Sequence, residues 1–381
     1  MTGAGEFTVQ GWCPGALRPM MSGDGLVVRV RPKAGRLTQE QAIGIATAAR
    51  AHGNGLIDLS ARANVQLRGV TEESHPKLID ELRALNLIDA DVKVEAKRNL
   101  LVTPFADQKT DELAQRLAAA LIDAPDLPGK FGFAVDTGDE PVLATISADI
   151  RLERDSAGHL ILRCDGAKLG ALVAESEAPA RAVELAQWFV AAGGVKEGRG
   201  RMSALIGKGK LPSGTLAGTN RPASAPPEPV PGLVAHGALV GFQFGQMEAE
   251  TLAQLAQMGA LRVTPWRMLL VEGLTALPSV AGLIIDQHDP LLRVRACTGA
   301  PGCVQALGAT RPLARRLAPQ MAKGKILHVS GCAKGCAHPG TADLTLIATA
   351  EGFDLVKGGT AQDSPMQTSL PEAGLDLRGL A

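Results

Sequence analysis

VRACTGAPGCVQ (residues 294–305) and HVSGCAKGCAHPG (residues 328–340) carry four of the chain's six cysteines. Cys297 and Cys303 are spaced C-x5-C, and Cys332 and Cys336 are spaced C-x3-C. Soft thiolates grouped this way suit an iron–sulfur cluster or zinc rather than a hard cation. Zinc sites present tighter C-x2-C knuckles that close on one ion, whereas these spacings suit a four-iron cube whose corners lie farther apart. Gly299, Gly302, Gly331 and Gly335 surround the ligands with small residues, so that backbone N–H groups can approach the sulfurs. The plainer reading is four unrelated buried thiols. Both spacings falling in one short segment favours a [4Fe–4S] cluster on Cys297, Cys303, Cys332 and Cys336.

Outward from this stretch, the order of elements repeats. LLRVRACTGAPGCVQ (291–305), a helix near 304–317, KILHVSGCAKGCAHPG (325–340) and a strand at ADLTLIAT (342–349) parallel an earlier series. That series is KRNLLVTPFAD (97–107), a helix near 111–121, LPGKFGFAVD (127–136) and ATISADIRL (144–152). Ahead of the first lie GLVVRVRP (25–32), which alternates like a half-buried strand, and a helix opened by a capping box at Thr38 and Gln41. Its apolar positions Ala42, Ile43, Ala46 and Ala49 share one face, and Gly53 ends it. LIDLSARANVQLRGV (56–70) then supplies two extended pieces. ALVGFQF (238–244), a helix over 248–258 and LRVTPWRMLLVEGL (261–274) repeat that set, and bring Arg62 opposite Arg267. An internal duplication follows, with the four motif cysteines in the second copy only.

The segment 209–233, rich in Pro, Ser, Ala and Gly, cannot build a core and is expected to run exposed between the copies. The chain therefore divides into 1–75, a first ferredoxin-like half-unit with an amino-terminal arm, and 76–208, a first α+β domain without a cluster. The linker 209–233 precedes 234–285, a second ferredoxin-like half-unit, 286–365, the cluster domain, and a tail at 366–381. A length of 381 residues with 45% hydrophobic content supports several packed units. Formal net charge is zero, so nothing global points to nucleic acid or an anionic membrane. The amino terminus lacks a basic stretch followed by an apolar core, and no apolar run is long enough to span a bilayer. A soluble cytoplasmic protein is expected, with thiols rather than disulfides. Cys13 and Cys164, without partners at ligand spacing, read as ordinary thiols.

The paired cysteine motifs resemble those of the sulfite and nitrite reductase superfamily, in which they hold a [4Fe–4S] cluster beside a sirohaem. The resemblance covers residues 20–355 in the superfamily's duplicated α+β order. It implies that Cys336 is the bridging cysteine. SARANVQLRGV is similar to the superfamily's arginine-bearing strand, with Arg62 at an anion-binding position. KRNLL puts Arg98 at a second such arginine, and LPGKF puts Lys130 at an active-site lysine. Two departures stand out: Gly132 where sulfite reductases usually carry a second lysine, and CAKGCAHP where they commonly read CPNGCARP. Gly132 would remove a cation and leave space. With the GWCPGALRP opening and the TPWR turn at 264–267, these features are most similar to the precorrin-3B synthase branch.

That resemblance implies an O2-dependent monooxygenase of aerobic cobalamin biosynthesis, which hydroxylates precorrin-3A and closes a γ-lactone. Electrons would come from NADH through a reductase or ferredoxin. A mononuclear non-haem iron is also implied, for which His288 with Asp289, His328 and His338 are the available ligands. A precorrin is a flat ring edged by carboxylates, so its site needs apolar walls and fixed cations. Arg62, Arg68, Arg98, Lys130 and Arg267 could supply them, with Asn64 and Gln66 orienting the substrate; each could equally be a surface or structural polar group. No residue is assigned to the chemical step. Two other readings compete: a sirohaem-dependent nitrite or sulfite reductase, and a non-catalytic electron-transfer or assembly protein on the same scaffold.

Overall fold

The structure, a computed structural model, describes residues 14–138 and 140–380. Cys13 lies outside them. Four sheets form two related pairs, an α+β arrangement in which each architecture is built twice. Among the described residues no helix is long and apolar enough to cross a membrane.

The first pair holds the half-units. Met20–Ser22, Gly25–Val30, Val65–Val70 and Leu56–Leu59 form one sheet, and Gly232–Val234, Gly237–Phe242, Met268–Glu272 and Leu261–Val263 the other. Each sheet takes its outer strand from the opposite copy. Gln246–Glu248 pairs with Leu56–Leu59, and Arg36–Leu37 pairs with Leu261–Val263. The helices Gln39–His52 and Ala249–Met258 follow directly from those exchanged strands and pack on each other in one shared core. Thr38 and Gln41 close the expected capping box and Gly53 caps the other end. The buried face is Ala42, Ile45, Ala46, Ala48 and Ala49, whereas Ile43 is exposed. The expected face was therefore rotated by part of a turn, because alanines at most positions leave the stripe poorly marked.

The second pair comprises Leu100–Val102, Phe133–Asp136, Ile150–Arg154, Leu160–Cys164 and Ala171–Leu172, and Val294–Ala296, Leu327–Ser330, Ala342–Thr349, Gly352–Gly359 and Gln367–Leu370. In both, the first two pairings are parallel and the last two antiparallel. The crossover helix of the first is Gln108–Ala120, capped by Asp107. That of the second is only Arg311–Leu317, seven residues, not the run from 304 expected from sequence. Residues 297–310 form an irregular loop instead, held by Ala300 N–H to Gly308 O at 2.9 Å and Thr310 Oγ1 to Cys297 O at 2.6 Å.

The Pro-rich segment is mostly exposed but tethered. Asn220 pairs with Gly170, Pro222 with Asp155, and Leu216 is buried in the first α+β core.

Candidate active site

Two neighbouring parallel strands, Val294–Ala296 and Leu327–Ser330, end at the same edge of their sheet, and each runs directly into a cysteine loop. This topology brings sequence-distant thiols together at the carboxyl ends of parallel strands, where ligands of such sheets collect. Cys297 N–H donates to Val329 O at 3.3 Å, and Gly331 N–H donates to the Cys297 Sγ at 3.1 Å. The loops interlock through small residues: a Cβ on Gly331 would lie 2.7 Å from the Ala306 Cβ, and one on Gly299 would strike Thr310. Cys297, Cys303 and Cys332 are half-buried, and Cys336 is exposed. Desolvation pushes the Cys332 thiol up, and the Cys297 and Cys303 sulfurs add to it. The Cys336 thiol is raised too, by desolvation from the loop behind it and by the other three sulfurs. The four sulfurs thus share one electrostatic locale. Among the described residues no three His, Cys, Asp or Glu side chains converge on a point that could hold one metal ion. Four thiols in one locale, with a backbone N–H donated to one of them, form a donor set that fits an iron–sulfur cluster.

Cys164, by contrast, is buried at the end of its strand, and burial pushes its thiol up to about 12. It is an unreactive core thiol.

Cys297 and Cys336 open onto a cleft of about 370 Å³ whose opposite wall is the polar face of the first half-unit sheet. Arg29, Gln66 and Asp58 stand side by side on adjacent strands there. Arg29 donates to the Gln66 Oε1 from Nε at 3.0 Å and Nη2 at 2.7 Å. Arg62, Arg267 and Arg311 also line the cleft, and Asp58 is the carboxylate among its lining residues. Arg311 reaches Asp58 at 3.4 Å, but Asp58 also pairs with Arg68 at 3.2 Å. Positive charge therefore exceeds negative charge in the cleft. Desolvation lowers the Arg267 guanidinium, repulsion from Arg295 and Arg311 lowers it further, and Asp58 offsets part. Arg267 is held in the left-handed region at φ 61° and packs against Gly245, where a Cβ would come within 2.7 Å of its side chain.

Of the residues named from sequence, the structure brings Arg62, Gln66 and Arg267 to the cleft with Cys297 and Cys336. Arg62 is oriented by donating to Lys130 O at 2.9 Å, so Lys130 contributes its backbone, with its side chain exposed and not lining the cleft. Arg68 and Arg98 do not line it. Arg68 is buried and committed to Asp24, Asp58, Ser22 and Gly302 O, and Arg98 grips Asp89 through two nitrogens. Asn64 is buried in the turn that Ser60 Oγ holds, also away from the lining. A guanidinium already satisfied by carboxylates has little to offer a substrate.

The expected match of Arg62 with Arg267 is off by one position. Ser60 N–H donates to Asn64 O as Thr264 N–H donates to Met268 O, and Ser60 Oγ accepts from Asn64 N–H as Thr264 Oγ1 does from Met268 N–H. Arg267 therefore corresponds to Ala63, and both have positive φ. Gly132 does not face open space: a Cβ there would lie 2.8 Å from the Asn99 Nδ2, the movable end of that side chain. Sequence reasoning missed Arg29 and Arg311. Arg29 was readable as a polar position of the alternating strand, cross-strand from Gln66.

Residues 18–85 match the nitrite/sulfite reductase ferredoxin-like half domain. A precorrin-3B synthase of Sinorhizobium sp is 32% identical over 97% of this chain and 86% of its own length. A ferredoxin–nitrite reductase of Leptolyngbya laminosa is 26% identical over 91% of this chain and 82% of its own. Among solved structures, the Mycobacterium tuberculosis NirA protein superposes with a TM-score of 0.63 at 17% identity, covering 88% of this chain and 74% of that one, which shows the fold. The identity and coverage place the chain in the precorrin-3B synthase family, within the nitrite/sulfite reductase superfamily.

Proposed function

We propose that the chain is an oxidoreductase of aerobic cobalamin biosynthesis that converts precorrin-3A to precorrin-3B by O2-dependent hydroxylation and γ-lactone closure. The observation that carries this reading is the half-buried Arg267, desolvated and set among like charges in a cleft that Cys297 and Cys336 also line. Such a guanidinium calls for an anion. A precorrin brings carboxylates at its rim, and arginine forks match them through two parallel hydrogen bonds. Arg267, Arg311 and Arg62 would hold the rim, while Gln66 and Arg29 fix the ring edge on the sheet face. Bound so, the ring excludes water from the cysteine edge.

A [4Fe–4S] cluster on Cys297, Cys303, Cys332 and Cys336 would supply electrons singly, drawn from an NADH-linked reductase or a ferredoxin. The implied mononuclear iron fits less well. His288 is exposed, the Asp289 carboxylate is spent capping Leu291 N–H at 2.8 Å, and no third ligand meets His328 and His338 among the described residues. No step is derived through it.

The likeness to ferredoxin–nitrite reductases favours a second reading, a sirohaem-dependent reductase. Gly132 speaks against it, because it supplies no cation where sulfite reductases usually carry a second lysine. The cationic cleft likewise speaks against a module that only passes electrons. Reaction under 18O2 with an electron donor decides: one labelled oxygen in the product hydroxyl is expected. Label only from water, or sirohaem bands with efficient nitrite or sulfite reduction, would falsify the proposal.

A further inference from the structure

His328 lies in the strand Leu327–Ser330, one turn of chain before the C-x3-C loop. Its neighbours Leu327 and Val329 face the core beneath the helix Arg311–Leu317. His328 points to the other face, between Arg295 and Thr345 in register. It has no exposure, and neither ring nitrogen has a hydrogen-bond partner. The ring sits under Gly335, whose φ of 65° lets the loop pass close: a Cβ there would be 3.6 Å from the His328 Cε1. His338 is its ring neighbour, with centroids 5.8 Å apart.

A buried imidazole with two unsatisfied nitrogens costs the full desolvation of both. Packing alone does not call for it, because Ile347 and Val356 on the same sheet face form, with Ala361, an apolar cluster that a leucine would extend. Desolvation first, then charge at His338 and the Arg267 guanidinium, lowers its pKa to about 4. The ring is therefore neutral near pH 7, with one N–H to donate. Positive neighbours disfavour a cation at this spot and favour an anionic acceptor. The acceptor that the cysteine loop would bring is sulfur.

We propose that His328 is a positioning residue of the cluster segment, its N–H donating to an anionic sulfur of the cluster held on the Cys332–Cys336 loop. This rests on the cluster assignment above. A hydrogen bond to sulfur stabilises the reduced, more negative cluster, so removing it lowers the reduction potential.

The test uses the full chain, prepared anaerobically, with the parent, His328→Leu and His328→Gln. Iron and labile sulfide are counted, and the cluster is titrated by its electron paramagnetic resonance signal. In His328→Leu we expect the ratio of oxidised to reduced cluster at fixed potential to rise about tenfold, about 59 mV for one electron. His328→Gln, which keeps an N–H, should stay near the parent. Histidine labelled with 15N should show a nitrogen coupled to the reduced cluster in the parent and not in His328→Leu. If His328→Leu loses its cluster while His328→Gln keeps both cluster and potential, the hydrogen bond is supported. Loss in both variants, or an unchanged potential and nitrogen coupling in His328→Leu, overturns the role while the parent's cluster stands. A parent without labile sulfide overturns the cluster assignment and this inference together.

Discussion

The sheet of residues 100–172 and the sheet of residues 294–370 have the same strand order and the same sequence of parallel and antiparallel pairings. Even the first loop hydrogen bond recurs: Thr103 N–H to Val135 O at 2.9 Å, and Cys297 N–H to Val329 O at 3.3 Å. Thr103 thus stands where Cys297 does, and Asp136 where Ser330 does. The first copy passes within a few residues into its helix, whereas the second opens a long loop around its thiols. The same frame closes with and without cysteines at its first two strand ends. The frame is therefore set by apolar strands and a crossover helix, and the chemistry by the loops that leave two strand ends.

The largest test of that contrast is Cys297→Ser or Cys332→Ser, which should abolish bound iron and labile sulfide, about four irons in the parent. Cys164→Ser should leave both in place. If the frame is independent of the cluster, amides of Leu327–Ser330 and Ala342–Thr349 stay protected from hydrogen exchange in the cysteine variants. Their exposure would mean that the second copy, unlike the first, needs its cluster to fold.

Next in size is the contrast between committed and uncommitted arginines. Arg68→Ala takes the guanidinium from Asp24 and leaves Asp58 with Arg311 and Gln246 alone, and should cost about 3–5 kcal/mol in chemical denaturation. Arg267→Gly should do the reverse, gaining about 1 kcal/mol by relieving a left-handed backbone and a crowd of like charges. Its cost should fall on the ligand, about 10–150-fold in tetrapyrrole affinity by equilibrium binding.

The two sheets should also answer pH in opposite senses. Desolvation raises Asp136 to about 7, with Glu153 adding and Leu143 N–H and Arg151 opposing. The native state then holds a proton that the unfolded chain releases, so stability present below about pH 4 is lost as pH rises towards 7. His328 is depressed to about 4, so its contribution, present above pH 6.5, is lost as pH falls through 4. Regional hydrogen exchange between pH 4 and 7 should show the first sheet loosening upward and the second downward, each on the order of 2–4 kcal/mol at the limit. Asp136→Asn should flatten the first slope alone.

Much of this was legible in the sequence, and particular residues show where reading stopped. The cysteine spacings and the repeated strand–helix order sufficed for the duplicated frame, because both are local patterns. Arg62, Gln66 and Arg267 were legible because they stand in or beside strands whose alternation is clear. Arg68 and Arg98 match the same motifs, yet Asp24 and Asp89 claim them, and sequence spacing does not report which carboxylate lies across a fold. The one-residue slip between Arg62 and Arg267 has a similar cause: a turn aligns by its hydrogen bonds and its left-handed residue, not by its charge. The loop at 297–310 read as helical from its carboxyl end because small residues hide a periodicity that is absent.

The exchanged outer strands tie the stability of each copy to the other. Arg36–Leu37 completes the sheet of the later copy, and Gln246–Glu248 that of the earlier one. A single copy would leave one sheet edge bare and one strand without a sheet. Its natural complement is another molecule of itself, reciprocally donating the same strand. The exchange thus makes the two copies one unit, since neither sheet is complete without a strand from the other.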